Sequence, residues 1–546
     1  MLFLICIFCS LFEILKGDQI PTVVLPDGTT LTGVQEGSVA VFRGVRFAQP
    51  PVGNLRWAPP VPWVNNSTNV VVDASQFGST CKQFLWGNDG LLSPDHGSED
   101  CLFLNIFVDT TTISSWESKS VPVGIFVHGG SYITGSGSIP LYDGSNLVDF
   151  WKGNGIIVTT NYRLNIFGFL GSDELRSRDV ERGSTGNYGI QDQRLAFGWV
   201  RDNIAAFGGD QHKVTIFGQS AGAGSMSNHL VMPQSWGLFH QVIIESGAFG
   251  LGSSQNMSCA EQTFQNLLSA AECGDVDCLL GLSEDEVFEI GLNLPATDPF
   301  AHSSAFSPTA DGVELTTHPW IALANGAVAD VPTVLGSTSD EGTLFTIVPH
   351  SIGQTELDAY WHHKQGYSAA EIAKLNALYV QNCSYPACHA SVYWWAAERS
   401  KGDNRYSCPA KYTAQQLSKL ATAGARTNPA YMYFFSHHPR EATVTRHVAD
   451  LQYVFHQTAL LNHPEDAAMA DSMATYWGNF INGGSPSAPV YPTEVPLWSP
   501  YVLEEDNCNI IADADDIAMK PGLKLAECEF HIDRIDKIVR STYPST

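Results

Sequence analysis

Three short apolar runs, each followed by glycine, asparagine or another polar residue, restrict the folds that this chain can adopt. The runs cover residues 123–127, 156–159 and 214–217, and they are typical of strands buried on both faces of a sheet. Residues 190–206 lie between the last two runs and repeat apolar side chains every three to five positions, as one face of a helix requires. This alternation predicts an α/β fold with a mostly parallel central sheet flanked by helices.

Three later apolar runs extend the predicted sheet. They cover residues 242–244, 332–335 and 431–435, and a polar turn follows each one. In a parallel sheet the loops that follow the strands gather at one edge, where ligands bind. We therefore expect functional side chains in the loops after these strands.

The composition favours one large globular unit. The chain has 546 residues, yet no Pro/Ser-rich linker, low-complexity block or internal repeat divides it. Hydrophobic residues make up 44% of the sequence and charged residues 16%, which supplies a substantial core and argues against disorder. We predict a single domain over residues 18–546.

The amino terminus and the cysteines predict a secreted, extracellular protein. Residues 2–15 form an apolar run too short to span a bilayer, which predicts a signal peptide over residues 1–17 with a cleavage point after Gly17. The ten cysteines that follow are an even number, as in secreted disulfide-bonded proteins. Four Asn-x-Ser/Thr sequences are candidate glycosylation sites, with unmodified surface asparagines as the alternative: Asn65, Asn66, Asn256 and Asn382.

The charge of the chain excludes one class of partner. Lys and Arg total 29 against 56 Asp and Glu, a formal net charge of −27 at pH 7. Such a charge repels polyphosphate and anionic membrane surfaces, so we expect no nucleic acid partner. The acidity is interpreted as a source of solubility rather than as steering of cationic substrates.

A Gly-x-Ser-x-Gly sequence follows the third apolar run directly. Gly218-Gln219-Ser220-Ala221-Gly222 precedes residues compatible with a helix, which puts Ser220 on a sharp strand-to-helix turn. Glycine on both sides permits the strained turn and the close approach of neighbouring backbone. A glycine-rich turn is the alternative, but the strand-then-helix context favours a nucleophile elbow that exposes the Ser220 hydroxyl above the sheet.

A second glycine-rich segment follows the first apolar run. His128-Gly129-Gly130-Ser131 has small residues that let backbone N–H groups converge on a developing negative charge. The tetrapeptide alone is more typical of an ordinary tight turn. Together with the downstream elbow it predicts an oxyanion hole.

A series of short segments along the chain is typical of one enzyme family. In chain order they are residues 47–53, 55–57, 98–105, 161–163, 167–169, 186–194, 203–210 and 214–222. Through these segments the sequence resembles the type-B carboxylesterase and cholinesterase family nearly from end to end. The resemblance implies an α/β-hydrolase fold and a serine carboxylic ester hydrolase that needs no metal or organic cofactor.

The resemblance assigns the remaining catalytic roles. It implies Glu341 as the acid and His447 as the base, so that Ser220, Glu341 and His447 follow one another along the chain. The residues alone leave this choice open, because the chain has 17 histidines and because Asp340 and Asp450 lie close by. In these roles His447 takes the proton of Ser220 as it attacks an ester carbonyl, and Glu341 fixes the imidazole tautomer.

The same resemblance implies the oxyanion donors and three disulfides. The backbone N–H groups of Gly130, Ser131 and Ala221 would hold the oxyanion, and water would hydrolyse the acyl-serine. The implied disulfides are Cys81–Cys101, Cys273–Cys278 and Cys408–Cys528. Cys383–Cys388 and Cys259–Cys508 would complete the set, although the sequence does not fix the pairing of these four cysteines.

Three departures from the cholinesterases concern the substrate. Residues 90–94 replace the stretch in which those enzymes place a tryptophan that binds a quaternary ammonium, and Trp86 is out of register. Gln219 stands where many of them have glutamate, so we expect a small neutral or lipid-like ester rather than a choline ester. His302 and Ser304 resemble acyl-pocket positions, and their smaller or more polar side chains predict acyl chains longer than acetyl.

A catalytically idle protein is the alternative. Residues 128–132 resemble those of neuroligins, which are adhesion proteins with this fold that lack the nucleophile, and a structural role is a further alternative. The presence of Ser220, Glu341 and His447 and the lack of a transmembrane run after the domain favour an active hydrolase without a membrane anchor. The natural substrate and the oligomeric state stay open.

Overall fold

The computed structural model describes most of the chain. The described residues are 20–65, 70–84, 96–115, 118, 120–300, 305–381, 390–439, 442–461, 463–491 and 494–543. The predicted signal peptide, residues 1–17, lies outside them. The boundary of a single domain over residues 18–546 stays a prediction.

Most strands within the described residues belong to one large sheet. Eleven of them follow the order β16-β15-β14-β13-β10-β9-β7-β8-β6-β4-β3. The strands are β1 (Thr22–Val24), β2 (Thr30–Thr32), β3 (Val34–Glu36), β4 (Val39–Arg46), β5 (Val71–Asp73), β6 (Phe103–Asp109), β7 (Val121–Val127), β8 (Ile156–Thr160), β9 (Gly209–Gln219), β10 (Gln241–Glu245), β11 (Gln255–Asn256), β12 (Thr309–Ala310), β13 (Thr333–Thr338), β14 (Ala430–Phe435), β15 (Asn507–Asp513) and β16 (Asp516–Pro521).

The centre of the large sheet is parallel and its edges are antiparallel. Strands β8, β7, β9, β10, β13, β14 and β15 pair in parallel. The strands at the two edges, β6, β4 and β3 on one side and β16 on the other, pair antiparallel. All six apolar runs of the sequence lie in the parallel part, which confirms the predicted α/β fold.

The parallel strands are buried because apolar side chains cover both of their faces. In β7, Val123 and Ile125 pack into one hydrophobic cluster, whereas Phe126 packs into the cluster on the opposite face. This alternation follows from the two-residue period of a strand. The sheet is therefore a rigid platform whose strand ends position the following loops.

Helices flank the sheet and connect its strands. The helix predicted at residues 190–206 is confirmed as α4, and a 3₁₀ turn, Ile204–Phe207, follows it. The α-helices of the described residues are α1 (Thr110–Ser114), α2 (Ser145–Phe150), α3 (Asn165–Phe169), α4 (Tyr188–Asn203), α5 (Ala221–Val231), α6 (Met257–Ala270), α7 (Val276–Leu280), α8 (Glu284–Leu292), α9 (Pro319–Ala324), α10 (Gln354–Gln365), α11 (Ala369–Asn376), α12 (Val392–Gly402), α13 (Cys408–Thr422), α14 (Leu451–Val454), α15 (Pro464–Gly483) and α16 (Leu525–Thr542). None of the described helices is long and apolar enough to cross a membrane.

Six of the described cysteines form three disulfides, with the pairing that the family resemblance implied. They are Cys81–Cys101, Cys273–Cys278 and Cys408–Cys528, of which the last links α13 to α16. The expected Cys259–Cys508 pair is wrong, because both thiols are free. Cys508 is buried in β15. Cys383 and Cys388 lie outside the described residues.

Candidate active site

Ser220 lies on a strained turn between β9 and α5. Its φ of 58° and ψ of −122° are unusual for a residue with a side chain, and its N–H donates to the carbonyl of Glu245 at 2.9 Å. The flanking glycines are required by close backbone contacts. A Cβ at Gly222 would lie 2.0 Å from the carbonyl oxygen of Val127, and one at Gly218 would lie 2.7 Å from the same atom. The packing of the turn therefore requires both glycines of the Gly-x-Ser-x-Gly sequence.

Glu341 and His447 form a hydrogen-bonded pair beside this turn. Glu341 follows β13, and His447 lies in the loop between β14 and α14. His447 Nδ1 is hydrogen bonded to Glu341 Oε2, and the side chains are only 2% and 1% exposed. Glu341 Oε1 accepts a hydrogen bond from the N–H of Thr338 at 2.8 Å. The carboxylate is thus held by two donors in a buried position, which fixes the orientation of the imidazole ring.

The two neighbouring aspartates have other partners. Asp340 Oδ2 accepts from the N–H of Thr445 at 2.9 Å, which joins the loop of the glutamate to the loop of the histidine. Asp450 Oδ2 accepts from the hydroxyl of Tyr433 at 3.0 Å. Burial, followed by the charge of Glu341, raises the pKa of Asp450 to about 6. Of the three carboxyls that the sequence left open, the structure pairs Glu341 with His447.

The outer ring nitrogen of His447 faces Gln219 rather than the serine. Nε2 of His447 lies 3.2 Å from the side-chain amide nitrogen of Gln219, so the amide can donate to it. Among the described hydrogen bonds none joins Ser220 Oγ to His447. Catalytic hydrogen bonds are often loose in an enzyme without substrate and tighten when substrate binds. From the sequence, Gln219 is noted only because it lacks the negative charge of a glutamate. Its contact with the His447 ring is a tertiary contact that no local sequence pattern predicts.

The imidazole ring of His447 is packed between aromatic side chains. The ring centroid of Tyr406 lies 4.7 Å from that of His447, and the centroid of Phe345 lies 5.0 Å away in an edge-on arrangement. The next residue, Val448, has a φ of 73°, a strained value for a β-branched side chain. Packing and a specific backbone conformation therefore hold the ring in place together with Glu341.

The segment after β7 brings backbone N–H groups to Ser220. Gly130 has a φ of 106°, and a Cβ there would lie 2.2 Å from the carbonyl oxygen of Thr134. Ser131 has a φ of 55°, in the left-handed region that a non-glycine residue tolerates at some cost. The N–H groups of Gly130, Ser131 and Ala221 donate to no described protein acceptor. They are available to an acceptor beside Ser220, and their role as an oxyanion hole stays a prediction.

Two clefts meet at Ser220. The first, of about 60 Å³, is also lined by Gln219 and His447 and has mainly apolar walls. The second, of about 90 Å³, is lined by Ser131, Ala221 and residues 250–253, and its described lining does not include His447. Two separate clefts therefore adjoin Ser220.

Several predicted residues lie outside the described part of the chain. These are the acyl-pocket candidates His302 and Ser304, the loop residues 90–94 with Trp86, and the glycosylation candidates Asn66 and Asn382. Asn65 Nδ2 donates to Thr29 Oγ1 at 3.0 Å. Asn256 caps α6 by accepting from the N–H of Cys259 at 2.8 Å. No group of three His, Cys, Asp or Glu side chains within the described residues could hold a metal ion.

The comparison with known families covers most of the chain. The model of the carboxylesterase family matches residues 21–531. The chain belongs to the carboxylesterase family. This membership confirms the resemblance and the α/β-hydrolase fold, and it supports carboxylic ester hydrolase activity on small-molecule esters.

Individual relatives have low sequence identity to this carboxylesterase-family chain, but they align with most of its length. A para-nitrobenzyl esterase of Bacillus subtilis (strain 168) is 32% identical over 503 residues, which cover 88% of this chain and 93% of the relative. A crystal protein of Dictyostelium discoideum is 31% identical, with 88% and 84% covered. A cholinesterase of Mus musculus is 29% identical, with 90% and 83% covered. The similarity therefore extends over the whole fold and not only over the elbow.

Proposed function

We propose that the chain is a secreted serine esterase that cleaves neutral carboxylic esters through an acyl-serine intermediate. The observation that carries this proposal is the buried Glu341–His447 hydrogen bond beside the strained Ser220 turn. These three side chains have the roles of acid, base and nucleophile in a serine hydrolase. Glu341 keeps the proton of the imidazole on Nδ1 and stabilises the charged ring that forms during the reaction.

In the first half of the reaction, Ser220 Oγ bonds to the ester carbonyl carbon while His447 Nε2 takes its proton. His447 exchanges the amide of Gln219 for the serine hydroxyl when substrate enters. The N–H groups of Gly130, Ser131 and Ala221 stabilise the negative charge on the carbonyl oxygen. The bond between the carbonyl carbon and the alcohol oxygen then breaks, and His447 returns the proton to the alcohol. Water then attacks the acyl-serine through the same steps and releases the acid.

The alcohol and the acyl group of the ester bind in different clefts. The leaving alcohol must lie near His447, because this residue protonates it, and we therefore assign the alcohol to the cleft that contains Gln219 and His447. Ile139, Leu344 and Val448 give that cleft apolar walls, and its described lining residues include no carboxylate. This lining favours a neutral alcohol over a quaternary ammonium. The acyl group is assigned to the cleft beside residues 250–253.

Secretion of this esterase is supported by its cysteines. Three disulfides are typical of proteins that fold in an oxidising compartment. The apolar amino terminus supplies a signal peptide, and glycans on the candidate asparagines would accompany secretion. If the chain hydrolyses no ester, a binding or structural role without catalysis is the favoured alternative.

Covalent labelling tests the proposal directly. A 4-nitrophenyl alkylphosphonate should react with the purified chain, release one 4-nitrophenolate per chain and leave the phosphonyl group on Ser220, because the elbow serine is the activated nucleophile. Peptide mass spectrometry locates the label. A folded chain that takes no label on Ser220 and does not hydrolyse 4-nitrophenyl butyrate would favour the idle alternative.

Replacing Gln219 by glutamate should shift the alcohol preference toward cations. The new carboxylate would lie in the cleft assigned to the alcohol, where an attraction to a quaternary ammonium is weakly screened. We expect the ratio of kcat/KM for butyrylcholine to that for 3,3-dimethylbutyl butyrate to rise about tenfold in Gln219→Glu. Gln262→Glu, at an exposed position on α6, is the control. An unchanged ratio in Gln219→Glu would contradict the assignment of the alcohol cleft.

A further inference from the structure

Three cationic side chains line the cleft that we assign to the acyl group. Lys364, Arg405 and Arg534 line it, and its described lining residues include no aspartate or glutamate. This concentration of cations differs from the chain as a whole, whose formal net charge is −27. A substrate that fills this cleft beside Ser220 would lie near these cations.

The three cations are not equivalent. Arg534 is buried and stacks on Tyr367, with its guanidinium 4.0 Å from the ring centroid, and it forms an ion pair with Glu371 at 3.2 Å. These contacts give it a structural role. Lys364 is exposed in the last turn of α10, and Arg405 is half-buried on the segment that leads into α13. Lys364 and Arg405 are therefore more accessible to a ligand in the cleft than Arg534 is.

The charge of Arg405 affects the groups around it. Burial, and after it the charge of Arg405, lowers the pKa of Lys401 to about 7. The charge of Arg405 therefore disfavours a second positive charge on Lys401 near it. The side chain of Asn404 also lines this cleft, and its NH₂ group is of the donor type from which an anion accepts hydrogen bonds. Polar groups and cations together form a local environment suited to an anion.

We propose that Arg405 and Lys364 bind a carboxylate at the far end of the acyl group, so that the enzyme also cleaves monoesters of dicarboxylic acids. This inference rests on the proposed esterase function and deepens it, because the alcohol stays neutral while the acyl group carries the charge. Guanidinium and ammonium groups form strong charge-assisted hydrogen bonds with carboxylates. The reaction adds water across the same ester bond and yields the alcohol, the dicarboxylate and a proton.

Matched esters test the inference. The substrates are 4-nitrophenyl monoesters of unbranched dicarboxylic acids with four to eight carbons, each compared with the 4-nitrophenyl ester of the monocarboxylic acid of equal length. Spontaneous hydrolysis is subtracted for every ester. At the best length, we expect the ratio of kcat/KM for the acid ester to that for the neutral ester to fall about tenfold in Arg405→Met.

The other variants separate charge from shape and folding. Lys364→Met should lower the same ratio about two- to fivefold, because an exposed cation contributes less. Arg405→Lys should keep part of the ratio that Arg405→Met loses. Lys374→Met, an exposed lysine on α11, is the matched control and should leave it unchanged. If the ratio is the same in the unmodified enzyme, Arg405→Met and Lys364→Met at every length, the inference is wrong.

A binding measurement distinguishes this inference from the esterase proposal. Titration calorimetry on Ser220→Ala compares monomethyl adipate with methyl hexanoate. Tighter binding of the acid, reduced by Arg405→Met, supports the carboxylate site even if the unmodified chain hydrolyses no ester. Equal binding of the two ligands, with hydrolysis of neutral esters intact, overturns the carboxylate site and leaves the esterase proposal standing.

Discussion

Ser220→Ala is expected to lower kcat for 4-nitrophenyl butyrate by about 10⁴-fold or more. The variant loses the atom that forms the acyl-enzyme, while the oxyanion donors and the substrate clefts remain. Alanine is also smaller than serine, and its Cβ occupies the same position on the strained turn, so the fold should be retained. Steady-state kinetics with both proteins at equal concentration gives the ratio directly.

The control for this variant is Ser177→Ala, which removes an exposed hydroxyl far along the chain from the elbow. It should keep the full activity. Thermal melting of all three proteins shows that any loss of rate is not a loss of folded protein. If Ser220→Ala retains more than about a hundredth of the rate, another nucleophile or direct attack by water must account for the hydrolysis.

The parallel part of the fold was predictable because its signal is local. Strands such as β7 are buried on both faces, and they therefore consist of continuous apolar residues that a short window detects. The edge strands β3 and β16 are partly exposed and alternate with polar residues. Their place in the sheet depends on pairing with β4 and β15, and such tertiary contacts leave no mark in a short stretch of sequence.

The candidate site was predictable to different degrees. The elbow around Ser220 is readable from the residues, because only glycine fits where a Cβ would lie 2.0 Å from a neighbouring oxygen. Glu341 and His447 came from the family resemblance, since one histidine among 17 carries no local signal. Lys364 and Arg405 were missed altogether. Both lie on helical segments, and they reach the cleft beside Ser220 only through the packing of segments after β13.

The free thiols of Cys259 and Cys508 show that an even number of cysteines does not mean that every cysteine is paired. An even number of cysteines is compatible with complete pairing, but a disulfide also requires Cα atoms within about 7 Å of each other. Cys508 is instead enclosed in β15, and burial, the largest cause, raises the pKa of its thiol well above the usual value. A buried neutral thiol packs as a small apolar side chain, so it needs no partner.

Glu341→Gln should lower kcat by about 10³- to 10⁴-fold, although it changes a single atom. In the native chain Glu341 Oε1 accepts from the N–H of Thr338, and Oε2 faces His447 Nδ1. The glutamine must keep its oxygen toward Thr338, because an amide N–H would face another donor there. Its NH₂ group then faces Nδ1 of His447. The imidazole would have to carry its proton on Nε2, where it could no longer accept the proton of Ser220.

Glu398→Gln makes the same chemical change in a second buried glutamate and is the matched control. Glu398 packs against the turn that carries Glu341, since a Cβ at Gly342 would lie 2.1 Å from its carbonyl oxygen. Burial, which outweighs the opposing charge of Arg399, raises the pKa of Glu398 to about 8, so its carboxyl is already mostly neutral at pH 7. A neutral amide in its place should change kcat less than about threefold. If Glu341→Gln is no more damaging than Glu398→Gln, the orienting carboxylate is not Glu341, and Asp450 becomes the residue to replace next.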